Sequence, residues 1–176
     1  GKTAIITGCN RGIGKAILET FAENGADIFA CVRKESDEFT EIKEKLEIKT
    51  GVTITPVYFD FAGSEQVKAG IKTITSSKKQ IDILINNAGV ATGSIFHMTS
   101  LQNMKQEFEI NFFSQILFTQ SISRYMSRFK SGSIINIASI AGLRGDAGTT
   151  SYGSSKAALM FATKTIATEL GVMNIR

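Results

Sequence analysis

Thr3-Ala4-Ile5-Ile6-Thr7-Gly8-Cys9-Asn10-Arg11-Gly12-Ile13-Gly14 is the stretch that decides the fold of this chain. A short run, apolar on both faces at Ala4-Ile5-Ile6, breaks into glycines spaced G-x-x-x-G-x-G, and Lys15-Ala16-Ile17-Leu18 then opens a helical pattern. Each glycine has a physical use in such a strand–turn–helix. Gly8 permits the tight turn, Gly12 lets backbone approach a pyrophosphate with no side chain in the way, and Gly14 lets the helix pack closely on the strand. The helix N-terminus then offers unpaired N–H groups and a partial positive charge to an anion. Glycines alone would also suit an ordinary strand–helix turn; the flanking strand and helix are what point to a dinucleotide. A Walker-type phosphate loop is disfavoured, because no Gly-Lys-Ser or Gly-Lys-Thr follows.

Outward from this turn, short apolar runs alternate with segments of helical period. Strands are predicted over residues 3–7, 27–32, 53–59, 82–86 and 133–138. Apolar residues recur at helical spacing between them, as in Ile17, Leu18, Phe21 and Val67, Ile71, Ile74. Runs such as Ile83-Leu84-Ile85 suit parallel strands covered on both faces, so the chain is expected to be an α/β protein, a Rossmann-type doubly wound parallel sheet with helices on both sides. The longest pattern, residues 99–129, reads as one helix of about 30 residues, capped by Thr99 or Ser100 and stopped by Ser131-Gly132. Its broad apolar face suits burial by the sheet alone or by the sheet and a second subunit.

The 176 residues, 43% hydrophobic and 20% charged, are enough for one domain with its own core. The formal charge of +4 is scattered rather than gathered in a basic stripe, which argues against nucleic acid. No apolar run approaches the ~18 residues needed to cross a bilayer. Cys9 and Cys31 make no disulfide framework and no zinc set, so a reducing, cytoplasmic setting is expected. His97, the only histidine, precedes a helix start and reads as a loop residue.

The end of the second strand reports on cofactor choice, since an acid there binds the ribose 2′-hydroxyl and repels a 2′-phosphate. Here the chain runs Ala30-Cys31-Val32-Arg33-Lys34, and Arg33 with Arg11 offers guanidinium groups suited to a phosphate, which predicts NADPH over NADH, although such charges are more often simply solvated in a loop. Asn86-Asn87-Ala88-Gly89 ends the fourth strand at the ligand-bearing edge. Ser139 follows the fifth, and Tyr152 and Lys156 lie at i and i+4 on one helical face. An ammonium beside a tyrosine favours its phenolate and brings it toward working pH, whereas a Y-x-x-x-K pair in isolation is more often a surface pair.

Together, Thr7-Gly8, Gly12-Ile13-Gly14, Asp60, Asn86-Asn87-Ala88-Gly89, Asn111, Ser139, Tyr152 and Lys156 resemble the short-chain dehydrogenase/reductase family, most of all its 3-oxoacyl-[acyl-carrier-protein] reductases. The resemblance implies one NAD(P)-binding domain over residues 1–176, in a pattern that normally continues into further strands and a lid. It implies that Tyr152 exchanges a proton with the carbonyl oxygen, that Lys156 lowers its pKa and binds the nicotinamide ribose, and that Ser139 stabilises the developing charge. Asn111 would hold a water linking Lys156 to solvent. Gly8, Asn10, Arg11, Gly12, Ile13, Gly14 and Arg33 would contact the cofactor, with Asp60 and Phe61 beside the adenine and Asn86, Ala88 and Gly89 beside its ribose. The substrate would be a small-molecule or acyl-carrier-protein-linked carbonyl; Arg128 and Lys130 could meet an acidic carrier or be ordinary solvated charges. A homotetramer or homodimer is implied, through helices 99–129 and 151–170. An NAD(P)-dependent dehydrogenase of another alcohol, a sugar, steroid or small ketone, is the first alternative; a non-catalytic dinucleotide sensor is the second, against which the intact Ser139, Tyr152, Lys156 and Asn111 set argues.

Overall fold

The computed structural model describes residues 1–176. Strand β1 (Thr3–Thr7) lies at the centre of a five-stranded parallel sheet. Strands β2 (Asp27–Val32) and β3 (Ile54–Tyr58) extend from one side of it, β4 (Ile83–Asn86) and β5 (Ser133–Asn136) from the other, in the order β3-β2-β1-β4-β5. Ile5 pairs with Phe29 of β2 and Leu84 of β4, so residues of equal parity face the same side of the sheet. The period of two then sorts them into two cores. Ala4, Ile6, Ile28, Ala30 and Ile85 meet helices α1 (Gly12–Glu23) and α2 (Asp37–Thr50) through Leu18, Ala22 and Phe39. Ile5, Phe29 and Leu84 meet α3 (Ser64–Ser76) and α5 (Ser114–Met126) through Val67, Ile74, Phe118 and Ile122. The two-faced apolar strands of the sequence are those of a sheet covered on both sides.

Strands β1 and β2 match the predicted bounds, and the others are shorter. Asp82, just before β4, still bonds both neighbouring strands through its backbone, and its carboxylate accepts from the Thr3 N–H (2.9 Å) and from Lys2. Strand β5 stops at Asn136 because the next carbonyl, that of Ile137, is taken by Lys156. The predicted long helix is not one α-helix. It runs as α4 (Leu101–Phe108), a π-helical turn (Glu109–Phe113), α5 and a 3-10 turn (Ser127–Phe129). Ser100 caps it, accepting from Asn103 N. Its stop is Lys130, which adopts the left-handed conformation at φ 47, and not the glycine two residues later. Gly132 answers to packing instead, since a Cβ there would lie 2.7 Å from the Met126 sulfur. Helix α6 (Thr150–Gly171) carries Tyr152 and Lys156. No helix is long and apolar enough to cross a membrane.

Candidate active site

From β1 the chain turns one way to β2 and the other way to β4, leaving a crevice at the carboxyl ends of the strands between them. The glycine turn and residues 87–90 occupy it. Gly8 (φ 66) and Gly12 (φ 55) take left-handed conformations that side chains resist. A Cβ on Gly12 would meet nothing within 4 Å, so the backbone there is open to the crevice. Gly14 is the opposite case. A Cβ on it would drive into the Gly8 carbonyl oxygen and the Asn87 amide. Asn87 ties the turn to β4, its Nδ2 donating to the carbonyls of Thr7 (2.9 Å) and Gly8 (3.0 Å). Thr7 reciprocates, its Oγ1 accepting from the backbone N–H groups of Asn87 and Ala88.

The resulting cleft has a volume of about 490 Å³, within the range of ordinary small-molecule sites. Gly8, Asn10, Arg11, Gly12, Ile13, Gly14, Arg33, Asp60, Phe61, Ala88 and Gly89 all line it, and no acid from the end of β2 does. The Phe61 ring turns inward to Phe59 and Phe118, with centroids 5.1 and 5.7 Å away. The Asp60 carboxylate accepts from Ala62 N at 2.9 Å. Asn86 is a correction to the sequence reading. It is fully buried and donates to Thr119 Oγ1 and Asn136 Oδ1, both at 2.7 Å, because it is the last ladder residue of β4 and is held by the opposing Asn136 and by α5. Asn87, one position on, is the asparagine that lines the cleft. The sequence marked the pair without indicating which would face outward.

Asn111, Ser139, Tyr152 and Lys156 do not line this cleft; they lie past its edge at Gly89. A Cβ on Gly89 would lie 3.2 Å from Asn111 Oδ1 and 3.5 Å from Lys156 Nζ, so this glycine leaves those two groups facing one space. Lys156 is 3% exposed, and Nζ donates to the Ile137 carbonyl at 2.7 Å. Burial pushes its pKa below the ordinary lysine value. The ammonium stands 6.0 Å from the centre of the half-buried Tyr152 ring. Ser139 Oγ accepts from Ala141 N, so its hydroxyl proton is free to donate outward. Asn111 sits in the π-helical turn, a break in the ladder of the kind often found at functional sites. Its amide is largely committed: Oδ1 accepts from Val90 N, while Nδ2 donates to Val90 O and to Ser155 Oγ. One Oδ1 lone pair remains. Cys31 lines the cleft, yet burial raises its thiol pKa and pushes that of Cys9 up to about 12, so neither is a nucleophile at neutral pH. His97 is exposed.

The sequence profile described as short chain dehydrogenase matches residues 2–176. The chain belongs to that family. Among its relatives, the 3-oxoacyl-[acyl-carrier-protein] reductase FabG of Aquifex aeolicus is 31% identical over 175 residues, which are 99% of this chain and 70% of the relative. The L-sorbose reductase of Gluconobacter frateurii, solved with NADPH and L-sorbose, superposes with a TM-score of 0.94 at 35% identity, over 100% of this chain and 66% of that one. A 7 alpha-hydroxysteroid dehydrogenase solved with NADH and an oxo bile acid does so at 0.92 and 31% identity, covering 100% and 68%. Short chain dehydrogenases thus place this chain among oxidoreductases with a Rossmann-type sheet. Its relatives within the family differ in both substrate and cofactor.

Proposed function

We propose that residues 1–176 form the NAD(P)-binding domain of an NADPH-dependent carbonyl reductase, with a 3-oxoacyl-[acyl-carrier-protein] as the favoured substrate. The observation that carries the reading is the buried ammonium of Lys156, beside the cleft-lining Gly89 and 6.0 Å from the Tyr152 ring one turn away on the same helix. The cleft fits the cofactor: a glycine turn open at Gly12, a helix N-terminus behind it, and Arg11 and Arg33 at the end where a 2′-phosphate would lie. When bound, the nicotinamide supplies the hydride chemistry.

The chain's own residues handle the proton and the charge. Tyr152 gives its phenolic proton to the substrate carbonyl oxygen. Lys156 favours the resulting phenolate and binds the nicotinamide ribose. Ser139 donates its free hydroxyl proton to the same carbonyl oxygen, a preorganised electrostatic contribution. Asn111 Oδ1 keeps a lone pair beside Gly89, the glycine that Lys156 also approaches, for a relay water, while the rest of its amide holds Val90 and Ser155 in place. The exposed Ile140 and Leu143, just after Ser139, favour an apolar acyl chain at the mouth of the site. The 35% identity to L-sorbose reductase supports a ketose as the second reading. The two long helical segments, 99–129 and 150–171, present exposed Phe113 and Phe161 and are the surfaces for a homo-oligomer.

The test compares NADPH with NADH as donors to acetoacetyl thioester and to L-sorbose, using the protein at its natural length. A thioester rate no higher than the ketose rate would move the assignment to sugars. Arg33→Ala is expected to lower the NADPH-to-NADH preference in kcat/KM by about 10- to 100-fold, the worth of a charge-assisted hydrogen-bonded contact. Equal preference before and after the substitution would remove the 2′-phosphate argument.

A further inference from the structure

Glu107 lies near the end of α4 and is 1% exposed, an uncommon place for a carboxylate. Its Oε2 is buried without a partner, so packing preference does not account for the residue. Oε1 accepts twice from a single residue, from Thr92 N and from Thr92 Oγ1, the latter at 2.7 Å. Four residues further along the same helical segment, Asn111 holds Val90 by its N–H and its carbonyl, both at 2.8 Å. The segment over residues 90–94 is therefore fastened to α4 and the π-helical turn at alternate positions. At its far end, Ser94 N donates to the carbonyl of Gly148, at 3.2 Å, in the turn that leads into α6 and Tyr152.

Residues 90–93 are exposed, so hydrogen bonds rather than burial hold this strap. Its first residue lines the cofactor cleft, and its last is bonded to the turn before Tyr152. We propose that Glu107 is a positioning residue of the site: by pinning Thr92 it sets the distance between the cleft and the turn that presents Tyr152. The proposal rests on the acid–base reading of Tyr152. It separates two anchors, because Asn111 holds the cleft end of the strap independently while Glu107 alone holds its middle. A neutral amide oxygen can accept the same two hydrogen bonds, so the role needs the acceptor geometry and not the charge.

The experiment compares Glu107→Leu, Glu107→Gln and the parent for NADPH affinity by fluorescence titration, for kcat, and for hydrogen exchange at the Thr92 amide. Glu107→Leu is expected to speed exchange at Thr92 by about 100-fold, since a protecting bond of an exposed segment is lost. It is expected to lower kcat by about 10- to 100-fold, the effect of a slight misplacement, with the cofactor Kd within about threefold. Glu107→Gln is expected to rescue both exchange and kcat. Unchanged exchange or kcat in Glu107→Leu, a matching loss of cofactor affinity, or a failure of Glu107→Gln to rescue would each overturn the proposal. Should Glu107→Leu not fold, Thr92→Val removes only the hydroxyl contact at an exposed position. It is then expected to lower kcat by about two- to fivefold at constant Kd, and parental kcat would overturn the proposal. Tyr152→Phe measured alongside distinguishes the two failures: if it keeps parental turnover, the acid–base reading falls and the exchange at Thr92 still reports on Glu107.

Discussion

Tyr152→Phe is expected to lower kcat for carbonyl reduction by about 10²- to 10⁴-fold, the usual contribution of a positioned acid, with NADPH affinity within about twofold. The hydroxyl makes no hydrogen bond to the protein, and the ring keeps its place beside Lys156. Only the proton donor is removed, so turnover falls without loss of binding or folding. Steady-state rates and a fluorescence titration on the same preparation check it, and a parental rate would exclude Tyr152 as the acid. The pH profile carries a related signature. Burial lowers the Lys156 pKa, so loss of its charge should contribute to the alkaline limb of the rate below pH 10.5, the ordinary lysine value, and Lys156→Arg should remove that contribution while leaving the limb due to the Tyr152 phenol. The stability sign follows from the same shift. Between the lowered folded value and 10.5 the unfolded chain binds more protons at this site, so its contribution to stability rises with pH across that window.

Gly14→Ala should be the most damaging small substitution in the turn. The added Cβ points at the Gly8 carbonyl, and its carbon would be only 2.8 Å away. Neither side can yield easily: Gly14 is buried in the first turn of α1, and Gly8 is bonded to Asn87 and, through its N–H, to the Cys31 carbonyl. Overpacking of this kind costs about 1–3 kcal/mol. Displacing the turn by about an ångström should lower cofactor affinity by about 100-fold. Gly12→Ala gives the contrast, since its Cβ meets open space and only its φ of 55 resists, at about 1–2 kcal/mol. Urea denaturation and cofactor titration of both variants test this order of effects. Equal behaviour would show that conformation, and not the close approach at Gly14, limits the turn.

Legibility followed the range of the interactions. Strands β1 and β2 match the sequence expectation to the residue, because Ala4-Ile5-Ile6 and its counterpart in β2 bury both faces and leave no competing period. The glycine turn was equally plain, since left-handed conformations at Gly8 and Gly12 are local requirements. Asn86 and Asn87 were adjacent letters of one motif, and only the Asn136 and Thr7 contacts, 50 and 80 residues away, gave one to the sheet and the other to the cleft. Glu107 left no mark beyond being an acid on a helical stretch.

The sequence by itself determined that this is a parallel α/β sheet with a dinucleotide turn and a Tyr-Lys helix, because periodicity, glycine spacing and an i, i+4 interval are local properties of the chain. Tertiary structure alone decided that Lys156 is buried against the Ile137 carbonyl, that the helix carrying Asn111 opens into a π turn, and that Glu107 pins Thr92. Those outcomes depend on which groups reach one another across the fold, and the satisfaction of buried polar groups is set by distant partners that no short window of sequence contains.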